Sequence, residues 1–330
     1  MATFNGERHV ETQLVSISEQ SVKPVEIVVG DDGSEDGTVE LIRKWAAHSA
    51  IHVRISVNPN RLGFAENFLQ AASRARGRVI AFADQDDVWL PGRLAAATAA
   101  LSSSETTLWV SGWRMVAEDL SPLPDRRVHT GFLERTTIAN PLGVISGSRL
   151  VFRSELLDNL PPDGRPISMD GAEPASHDEW ICFAARVLGR IALSRAPLML
   201  YRRHPGASTI ANPAVASRTF LLGREGEGSL LERRRAALER AGYLEARVAI
   251  TRDDNLREKM LTAAALYRTL APRLGRRVSI YATPLRRRRV GALTTNALRG
   301  DYRSVRRGGL GSWALAQDLF TFGRSTPRLR

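Results

Sequence analysis

The stretch Val25-Glu26-Ile27-Val28-Val29-Gly30-Asp31-Asp32-Gly33-Ser34 decides the fold class. Its mostly apolar first half predicts a buried strand, and Asp-Gly is typical of the turn that ends such a strand. Apolar residues at helical spacing predict helices on either side of it, over residues 7–20 and 38–48. Alternating helices and strands are typical of a parallel sheet, so we predict an α/β protein.

The same alternation continues as far as residue 110. We predict strands over residues 51–57 and 78–83 and a helix over residues 64–76. The strand over 78–83 runs into Asp84-Gln85-Asp86-Asp87. The carboxyl ends of parallel strands meet at the edge of an open sheet where α/β proteins bind ligands. We therefore expect the acidic residues that follow the two strands to face one crevice.

A change of composition after Pro213 marks a domain boundary. The later residues are rich in Leu, Ala, Arg and Glu at helical spacing. We predict an α/β domain over residues 1–212, with a Rossmann-type, mainly parallel mixed sheet flanked by helices, and a helical, basic C-terminal extension over residues 213–330. The further predicted elements are strands over 108–114 and 150–152 and helices over 177–188, 230–250 and 255–270.

Composition excludes several classes of protein. The 330 residues are 43% hydrophobic and 25% charged, as in ordinary globular proteins. The single cysteine, Cys182, excludes an internal disulfide framework and a zinc cluster of several thiolates. No apolar run reaches the length of about 18 to 20 residues that spans a bilayer, and the first residues lack a signal-peptide pattern. We therefore expect a cytoplasmic protein.

The net charge of +12 is unevenly distributed, since residues 1–220 carry −2 and residues 221–330 carry +14. An Arg-rich segment indicates an anionic partner. Arg286-Arg287-Arg288-Arg289 is followed by aromatic residues, among them Trp313 and Phe320, and this mixture suits lipid headgroups. We predict peripheral contact with the anionic inner face of the cell membrane. A solvated tail is the alternative, and nucleic acid is disfavoured because no recognised binding motif accompanies the charge.

The acidic cluster points to a metal ion. Asp84, Asp86 and Asp87 lie within four residues of one another, and carboxylates so close repel unless a cation neutralises them. Carboxylate oxygens suit the hard ions Mg²⁺ and Mn²⁺, which also bind substrate phosphates. The alternative is a solvated acidic turn.

Other polar motifs are ambiguous when taken singly. The Asp-Asp-Gly-Ser sequence that begins at Asp31 is also ordinary turn chemistry, in which Ser34 caps the next helix. Asp178 precedes a predicted helix and suits the first turn of a helix by its charge alone. His204 follows two arginines and suits a basic surface loop.

Taken together and in order, six motifs resemble the family 2 glycosyltransferases of the GT-A fold, particularly bacterial enzymes of the rhamnosyltransferase type. The resemblance covers about the first 210 residues. The motifs are Met1-Ala2-Thr3-Phe4-Asn5-Gly6-Glu7, Asp31-Asp32-Gly33-Ser34-Glu35-Asp36-Gly37-Thr38, Asn60-Arg61-Leu62-Gly63-Phe64 with Asn67-Phe68, Asp84-Gln85-Asp86-Asp87-Val88-Trp89, His177-Asp178-Glu179-Trp180 and Tyr201-Arg202-Arg203-His204.

The resemblance implies a site for a nucleotide-sugar donor. The segment from Thr3 to Asn5 and Asp32 would hold the base and ribose, and the acidic cluster would bind Mg²⁺ or Mn²⁺ between the donor phosphates. Asp87 is the first choice of metal ligand, with Asp86 as a second ligand near the ribose. The donor-binding residues implied are Thr3, Phe4, Asn5, Asp32, Arg61, Asn67, Asp84, Asp86, Arg202, Arg203 and His204.

The resemblance also implies the reaction. Asp178 matches the catalytic base, which takes a proton from the acceptor hydroxyl in a single displacement that inverts the anomeric carbon. The loop from Arg202 to His204 would close on the pyrophosphate and stabilise its charge. Trp89 and Trp180 offer flat apolar faces to a sugar or lid, with a place in the core as the alternative.

The predicted function is therefore inverting, metal-dependent sugar transfer to a glycan or lipid-linked glycan in cell-surface polysaccharide synthesis. By analogy the donor is dTDP-rhamnose, with UDP-hexoses close behind. One departure favours an alternative, a truncated or degenerate relative that binds without turnover. Relatives carry an apolar strand before the first motif, whereas Met1 stands only two residues before Thr3. We therefore expect the sheet to lack this strand, either because the start is assigned too far downstream or because the chain is truncated.

Overall fold

The computed structural model describes residues 1–123, 140–169, 171, 173–206, 227–282, 286–303, 309–311, 314–315 and 318–319. The chain divides into two compact units. The first unit comprises residues 1–138, 143–163 and 176–207, and the second comprises residues 139–142, 164–175 and 208–330.

The first unit alternates strands and helices, as the sequence predicts. Its strands are β1 (Ala2–Thr3), β2 (Glu26–Asp31), β3 (His52–Val57), β4 (Val79–Ala81), β5 (Val88–Trp89), β6 (Thr106–Val116), β7 (Leu150–Arg153) and β8 (Arg190–Arg202). Its helices are α1 (Val10–Ser18), α2 (Thr38–His48), α3 (Phe64–Ser73), α4 (Arg93–Ala100), α5 (Glu155–Asn159) and α6 (His177–Leu188), with a 3₁₀ turn over Gly147–Arg149.

The strands form two sheets. The first is parallel, in the order β1-β2-β3. The second is mixed, in the order β4-β7-β6-β8-β5, with β6 and β8 parallel and the other neighbours antiparallel. An isolated parallel bridge between Ala2 and Asp84 links β1 to the residues that follow β4. The α/β class and the mixed sheet are thus as predicted.

The core lies between the sheets and their helices, on the predicted apolar faces. Val10, Leu14 and Ile17 of α1 are buried at the helical spacing that predicts them, together with Val29 of β2 and Ile42 of α2. Burying each such side chain stabilises the fold by about 1.5–3 kcal/mol. This packing fixes where β2 ends, and therefore where Asp31 and Asp32 lie.

The first motif itself supplies a short first strand to the sheet, so this edge of β2 is paired. Ala2 and Thr3 of β1 pair with Gly30 and Asp31 of β2. The ladder also includes Met1, whose amino nitrogen donates to the Val28 carbonyl at 2.8 Å and whose carbonyl accepts from the Gly30 N–H at 3.0 Å. A short strand thus suffices to place the first motif beside the end of β2.

Besides β1, four helices and strands of the first unit are absent from the sequence prediction: β5, α4, α5 and β8. The two residues of β5 are too few for a periodicity to emerge. The thirteen residues of β8 mix arginine, serine and proline with apolar residues, without strict alternation. They form a strand because β6 and β5 supply hydrogen-bonding edges on both sides.

The second unit contains the predicted helices. They are α7 (Glu227–Ile250) and α8 (Asp254–Ala282), and α8 extends well beyond the predicted end at residue 270. A third helix, α9 (Arg286–Leu298), was not predicted individually. Among the helices that the structure describes, we find no transmembrane span. Trp313 and Phe320, predicted to contact lipid, lie outside the described residues.

A buried ion pair lies inside this second unit. The Asp318 carboxylate is fully buried and accepts hydrogen bonds from the Arg277 guanidinium, with Nη2 at 2.7 Å and Nε at 2.9 Å. The hydroxyl groups of Tyr281 and Tyr302 also donate to it. This carboxylate therefore ties the end of the chain to α8.

Replacing Asp318 by alanine should destabilise the full chain by roughly 3–5 kcal/mol, because the buried Arg277 guanidinium would lose its counter-charge. Urea unfolding measures the change. Glu245→Ala is the control, since Glu245 pairs with Arg268 in solvent and its loss should hardly move the unfolding midpoint. Equal midpoints for the two variants would contradict the expectation.

Candidate active site

The first motif is fastened to the turn after β2 by side-chain hydrogen bonds. The Thr3 hydroxyl donates to Asp31 Oδ2 at 2.7 Å, and the Ser34 N–H donates to Asp31 Oδ1 at 2.8 Å. The Asn5 N–H donates to Ser34 Oγ at 2.9 Å, while Asn5 Oδ1 accepts from the Glu35 N–H at 2.9 Å. Asn5 has φ 47°, a left-handed conformation that asparagine tolerates. The predicted residues Thr3 and Asn5 are thus held rigidly at the strand ends.

Asp32 is buried, and its carboxylate holds a loop. Its Oδ1 accepts from the Leu62 N–H at 2.6 Å and from Asn58 Nδ2 at 3.2 Å, and its Oδ2 accepts from the Gly63 N–H at 2.8 Å. The resemblance assigns Asp32 to the nucleotide. In this structure both of its oxygens position residues 58–63, and its contact with a nucleotide stays a prediction.

Asn67 also acts within the scaffold. Its Nδ2 donates to the Gly30 carbonyl at 2.8 Å, and its Oδ1 accepts from Asn58 Nδ2 at 3.0 Å. A Cβ at position 30 would lie 2.3 Å from Asn67 Oδ1, so only glycine allows this approach. The predicted donor-binding residue Asn67 is buried and therefore positions β2 against α3.

Phe4 and Arg61 form a flat, cationic surface. The Arg61 guanidinium carbon lies 3.8 Å from the centre of the Phe4 ring, in a cation–π contact, and Arg61 is exposed. Gln85 fixes the Phe4 backbone, since its Oε1 accepts from the Phe4 N–H and its Nε2 donates to the Phe4 carbonyl, both at 2.9 Å. A planar base or an anionic phosphate can meet this surface.

Two aspartates of the acidic cluster, Asp84 and Asp87, lie in a poorly hydrated environment. Burial raises the pKa of Asp84 to about 7, and the nearby Asp86 charge adds to the effect. Burial, followed by the charges of Asp84 and Asp86, raises the pKa of Asp87 well above its usual range. Asp87 Oδ2 is buried without a hydrogen-bond partner in the part of the chain that the structure describes. Nearby positive charge therefore compensates the Asp84 and Asp87 carboxylates only in part.

The end of β8 brings the predicted basic loop to this cluster. The Arg202 N–H donates to Asp87 Oδ1 at 3.2 Å, and Arg202 Nε donates to the Asp86 carbonyl at 2.7 Å. His204 Nε2 lies 2.7 Å from Asp86 Oδ2. The Arg203 N–H bonds to β6, which places this residue on the same loop. Pairing of β5 with β8 produces the convergence, because it aligns the residues that flank both strands.

His9 and Glu118 belong to the site although the sequence did not single them out. The His9 ring lies 4.7 Å from the His204 ring, and His9 Nε2 is 3.6 Å from Glu118 Oε1. The Glu118 carbonyl accepts from Arg202 Nη1. Burial lowers the pKa of His9, and the Arg202 charge lowers it further. The only sequence signal for Glu118 is its place just beyond a predicted strand.

Asp178 stands in the first turn of α6. Its Oδ1 accepts from Ser176 Oγ at 2.5 Å and from the Glu179 N–H at 2.8 Å. After burial and the Asp86 charge, the charge of Asp178 also contributes to the raised pKa of Asp84. The buried ring of His177 stacks on Phe68 at 4.4 Å and anchors this turn to α3.

A divalent cation suits these groups. Within the described residues, no three His, Cys, Asp or Glu side chains are arranged to hold a metal ion by themselves. Mg²⁺ and Mn²⁺ are nevertheless commonly bound through one or two carboxylates, with phosphates and water completing the shell. The raised pKa of Asp84 and the unpartnered Asp87 Oδ2 show carboxylates that are short of counter-charge, which an ion held beside them would supply. Of the two predicted metal ligands, only Asp86 reaches solvent. Its side chain is 20% exposed, whereas Asp87 is fully buried.

The two tryptophans of the motifs belong to the core. Trp180 is 1% exposed and donates from Nε1 to the Leu160 carbonyl at 3.1 Å. Trp89 is 4% exposed and lies against the guanidinium of the buried Arg93. The interpretation in which these rings face a sugar or lid is therefore wrong for this structure, and the alternative, a place in the core, is the one observed.

Comparison with known proteins confirms the resemblance predicted from the motifs. Residues 1–160 match the family model described as Glycosyl transferase family 2. The putative glycosyltransferase EpsE of Bacillus subtilis is 34% identical over 28% of this chain and 34% of its own length. The uncharacterized protein Rv1520 of Mycobacterium tuberculosis is 27% identical over 61% and 57%. The dTDP-rhamnosyl transferase RfbG of Shigella flexneri is 23% identical over 68% and 78%. The chain thus spans about a third of the length of EpsE and somewhat less than three fifths of the length of Rv1520.

Solved structures confirm the GT-A fold. TarS 1-349 of S. aureus in complex with UDP-GlcNAc aligns with a TM-score of 0.53 at 16% identity, covering 98% of this chain and 90% of that one. GalNAc-T7 with UDP, GalNAc and Mn²⁺ aligns with a TM-score of 0.53 at 14% identity, covering 74% and 53%. Identities this low carry the fold and nothing further.

Replacing Asp32 by asparagine should destabilise the protein by about 1–3 kcal/mol, because one of the backbone N–H groups of Leu62 and Gly63 would lose its carboxylate acceptor. Urea unfolding gives the change. Glu35→Gln, at an exposed position of the same turn, is the matched control and should leave the midpoint in place. A stability of Asp32→Asn equal to that of the control would contradict the role of Asp32 in holding the loop.

Proposed function

Because residues 1–160 match the family 2 glycosyltransferase model, we propose that this chain transfers a sugar from a nucleotide-sugar donor to a hydroxyl group of a glycan or lipid-linked glycan. One observation carries the proposal. Asp86 and Asp87 and the cationic Arg202 with His204 come from separate segments of the chain and contact one another, and the charge of Asp178 acts on Asp84 of the same cluster. This set provides anchors for a metal-bound diphosphate, counter-charge for a leaving group and a carboxylate base.

The donor would enter at the carboxyl ends of β1 and β2. The exposed Arg61 guanidinium over the Phe4 ring offers a planar surface for the base, and Asn5 is held beside it. dTDP-rhamnose is the first candidate donor, because the relative RfbG is named a dTDP-rhamnosyl transferase. UDP-hexoses are the second, because TarS binds UDP-GlcNAc.

Asp86 would hold Mg²⁺ or Mn²⁺ directly, since its carboxylate reaches solvent, with Asp87 behind it. When bound, the ion would neutralise charge on the donor diphosphate. The residues from Arg202 to His204 would stabilise the charge that grows on the departing nucleoside diphosphate. Arg202 is already fixed by its bonds to the Asp86 and Glu118 carbonyls, so its guanidinium needs little reorganisation.

Asp178 would act as the base. Both of its hydrogen bonds within the described structure use Oδ1, which leaves Oδ2 to accept a proton. As the acceptor hydroxyl gives up this proton, its oxygen bonds to the anomeric carbon and the bond from that carbon to the diphosphate oxygen breaks. Attack from the side opposite the leaving group inverts the anomeric centre. Ser176 would keep the carboxylate in place for this step.

Measuring donor binding and turnover with a panel of nucleotide sugars and Mn²⁺ distinguishes residues that bind the metal or donor from the residue that acts as the base. Asp86→Ala should abolish metal-dependent donor binding in calorimetry. Asp178→Asn should bind the donor within about twofold of the wild type but lose at least ~100-fold in turnover, since general-base catalysis is worth about that much. Asp158→Asn, at an exposed position of α5, is the control and should change neither quantity.

Two outcomes would redirect the proposal. Full turnover by Asp178→Asn would exclude this residue as the base. Donor binding without turnover by the wild type, with any acceptor, would favour the second candidate function, a non-catalytic nucleotide-sugar or glycan binding protein. The complete burial of Asp87 favours that candidate, because this carboxylate is not accessible to an ion in this conformation.

We also propose that the protein works in the cytoplasm at the inner face of the cell membrane, where lipid-linked acceptors reside. The support is the charge of +14 on residues 221–330. Each basic residue near an anionic surface contributes about 1 kcal/mol of attraction.

Replacing Arg286, Arg287 and Arg288 by glutamine should reduce flotation with vesicles of anionic lipid, since each arginine adds attraction to the surface. The fraction of protein that floats is the measurement. The control replaces three exposed basic residues of the first unit, Arg43, Lys44 and Arg76, and removes the same charge. Equal flotation of the two triple variants would exclude a specific role for the C-terminal extension.

A further inference from the structure

A cavity of about 630 Å³ lies at the edge of the first sheet opposite to the candidate active site. It is formed where α1 and α2 end and where the chain enters β2 and β3, and we call it the Trp45 cavity after the α2 residue that lines it. Asp31 and Asp32 stand at the other end of β2, roughly 20 Å away, since each residue of the strand adds about 3.3 Å. The volume is typical of small-molecule sites, which range over about 300–1,000 Å³.

Trp45 gives the cavity a rigid apolar wall. Trp45 and Leu41 of α2 are half-buried, and both pack against the core of the first unit while also lining the cavity. The buried Ile51 lines it as well. A tryptophan anchored in this way presents a broad, flat surface at little cost in side-chain entropy. The wall therefore suits a ligand with a flat apolar face.

The residues that line this cavity also supply hydrogen-bonding groups of both kinds. Within the described residues, neither the Trp45 indole N–H nor the Glu11 carboxylate has a hydrogen-bond or ion-pair partner. His48 Nδ1 lies 3.0 Å from the Lys44 carbonyl and must donate to it, so Nε2 of the neutral ring can accept. A donor and acceptors in one cavity suit hydroxyl groups, because a hydroxyl group both donates and accepts.

The lysine charges at the cavity are already compensated. Lys23 Nζ donates to the Ser18 carbonyl at 2.5 Å, and Lys44 Nζ lies 2.7 Å from Glu40 Oε1. Helices α1 and α2 both end at this edge of the sheet, and the carbonyl end of a helix carries partial negative charge. Together with the Glu11 carboxylate, these carbonyls disfavour an anionic ligand. The cavity therefore suits an uncharged ligand.

We propose that the Trp45 cavity is a non-catalytic saccharide site, which binds a neutral sugar of a glycan. A sugar ring presents a face of C–H groups, which packs on the Trp45 ring, and a periphery of hydroxyl groups, which bond to Glu11, His48 and the indole N–H. That this glycan is the acceptor chain rests on the proposed function. A chain bound at both sites then reaches the active site at a raised effective concentration.

The test follows the Trp45 indole N–H by NMR in the full chain, with the signal assigned by its loss in Trp45→Phe. The probes are maltohexaose, cellohexaose, chitohexaose and a hexasaccharide of rhamnose, added without donor or metal. At least one should shift this signal, with a Kd that changes by less than about twofold up to about 0.5 M NaCl, because salt does not screen an uncharged ligand. No shift with any probe, or affinity that falls steeply with salt, would overturn the proposal.

Two matched substitutions locate the saccharide. Ala50 lines the cavity and is exposed, so Ala50→Trp should fill the space without disturbing the core and weaken saccharide binding by at least ~10-fold through a direct clash. Ala47→Trp, at an exposed position of α2 that does not line the cavity, should leave the Kd within about twofold. Equal affinity of the two variants would overturn the proposal.

A third substitution separates this proposal from the proposed function. Because donor and metal are omitted, failure of sugar transfer in the wild type would leave the saccharide measurements unchanged. Asp86→Ala, which removes the proposed metal ligand, should bind the saccharide as the wild type does. Loss of saccharide binding in Asp86→Ala would place the sugar in the candidate active site and overturn the proposal.

Discussion

The hydrogen bond from the Arg202 backbone N–H to the buried Asp87 carboxylate joins residues 115 positions apart. It holds the end of β8 against the acidic cluster, and Arg202 Nε and His204 add contacts to Asp86. Asp87 can stay buried only because this N–H and the nearby Arg93 compensate part of its charge. The assembly of the site thus depends on one strand reaching another, and the sheet order of β5 beside β8 is its prerequisite.

Buried carboxylates also join distant segments of the chain at the ends of the parallel strands. Asp31 accepts from Thr3 and Ser34, while Asp32 accepts from the backbone of Leu62 and Gly63. Neither carboxylate is left to water, so each acts as a clamp between segments that are distant in sequence. From the sequence, these acidic residues were expected to form one binding surface. In the structure some of them, such as Asp32, are buried and hold two chain segments together, whereas others, such as Asp86, are accessible to solvent.

Periodicity and strand-end chemistry made much of this predictable. The bounds of α2 and α6 are those that the sequence predicts, because each helix has a clear apolar face and a distinct start. The scaffold roles of Asp32 and Asn67 were not predictable, since their partners are backbone groups that leave no sequence signal. His9 and Glu118 were missed because the fold alone brings them beside Arg202 and His204. Likewise, β8 takes its conformation from its neighbours rather than from its own residues.

The pair of Phe4 and Arg61 contrasts with this scaffold. Gln85 holds Phe4 through backbone atoms alone, and the Arg61 guanidinium rests on the ring in solvent. Side chains at these two positions can therefore vary without loosening the clamps beneath them. Under the proposed function, ligand preference would drift during evolution at little cost in stability, and randomising these two positions would alter selectivity on an otherwise fixed framework.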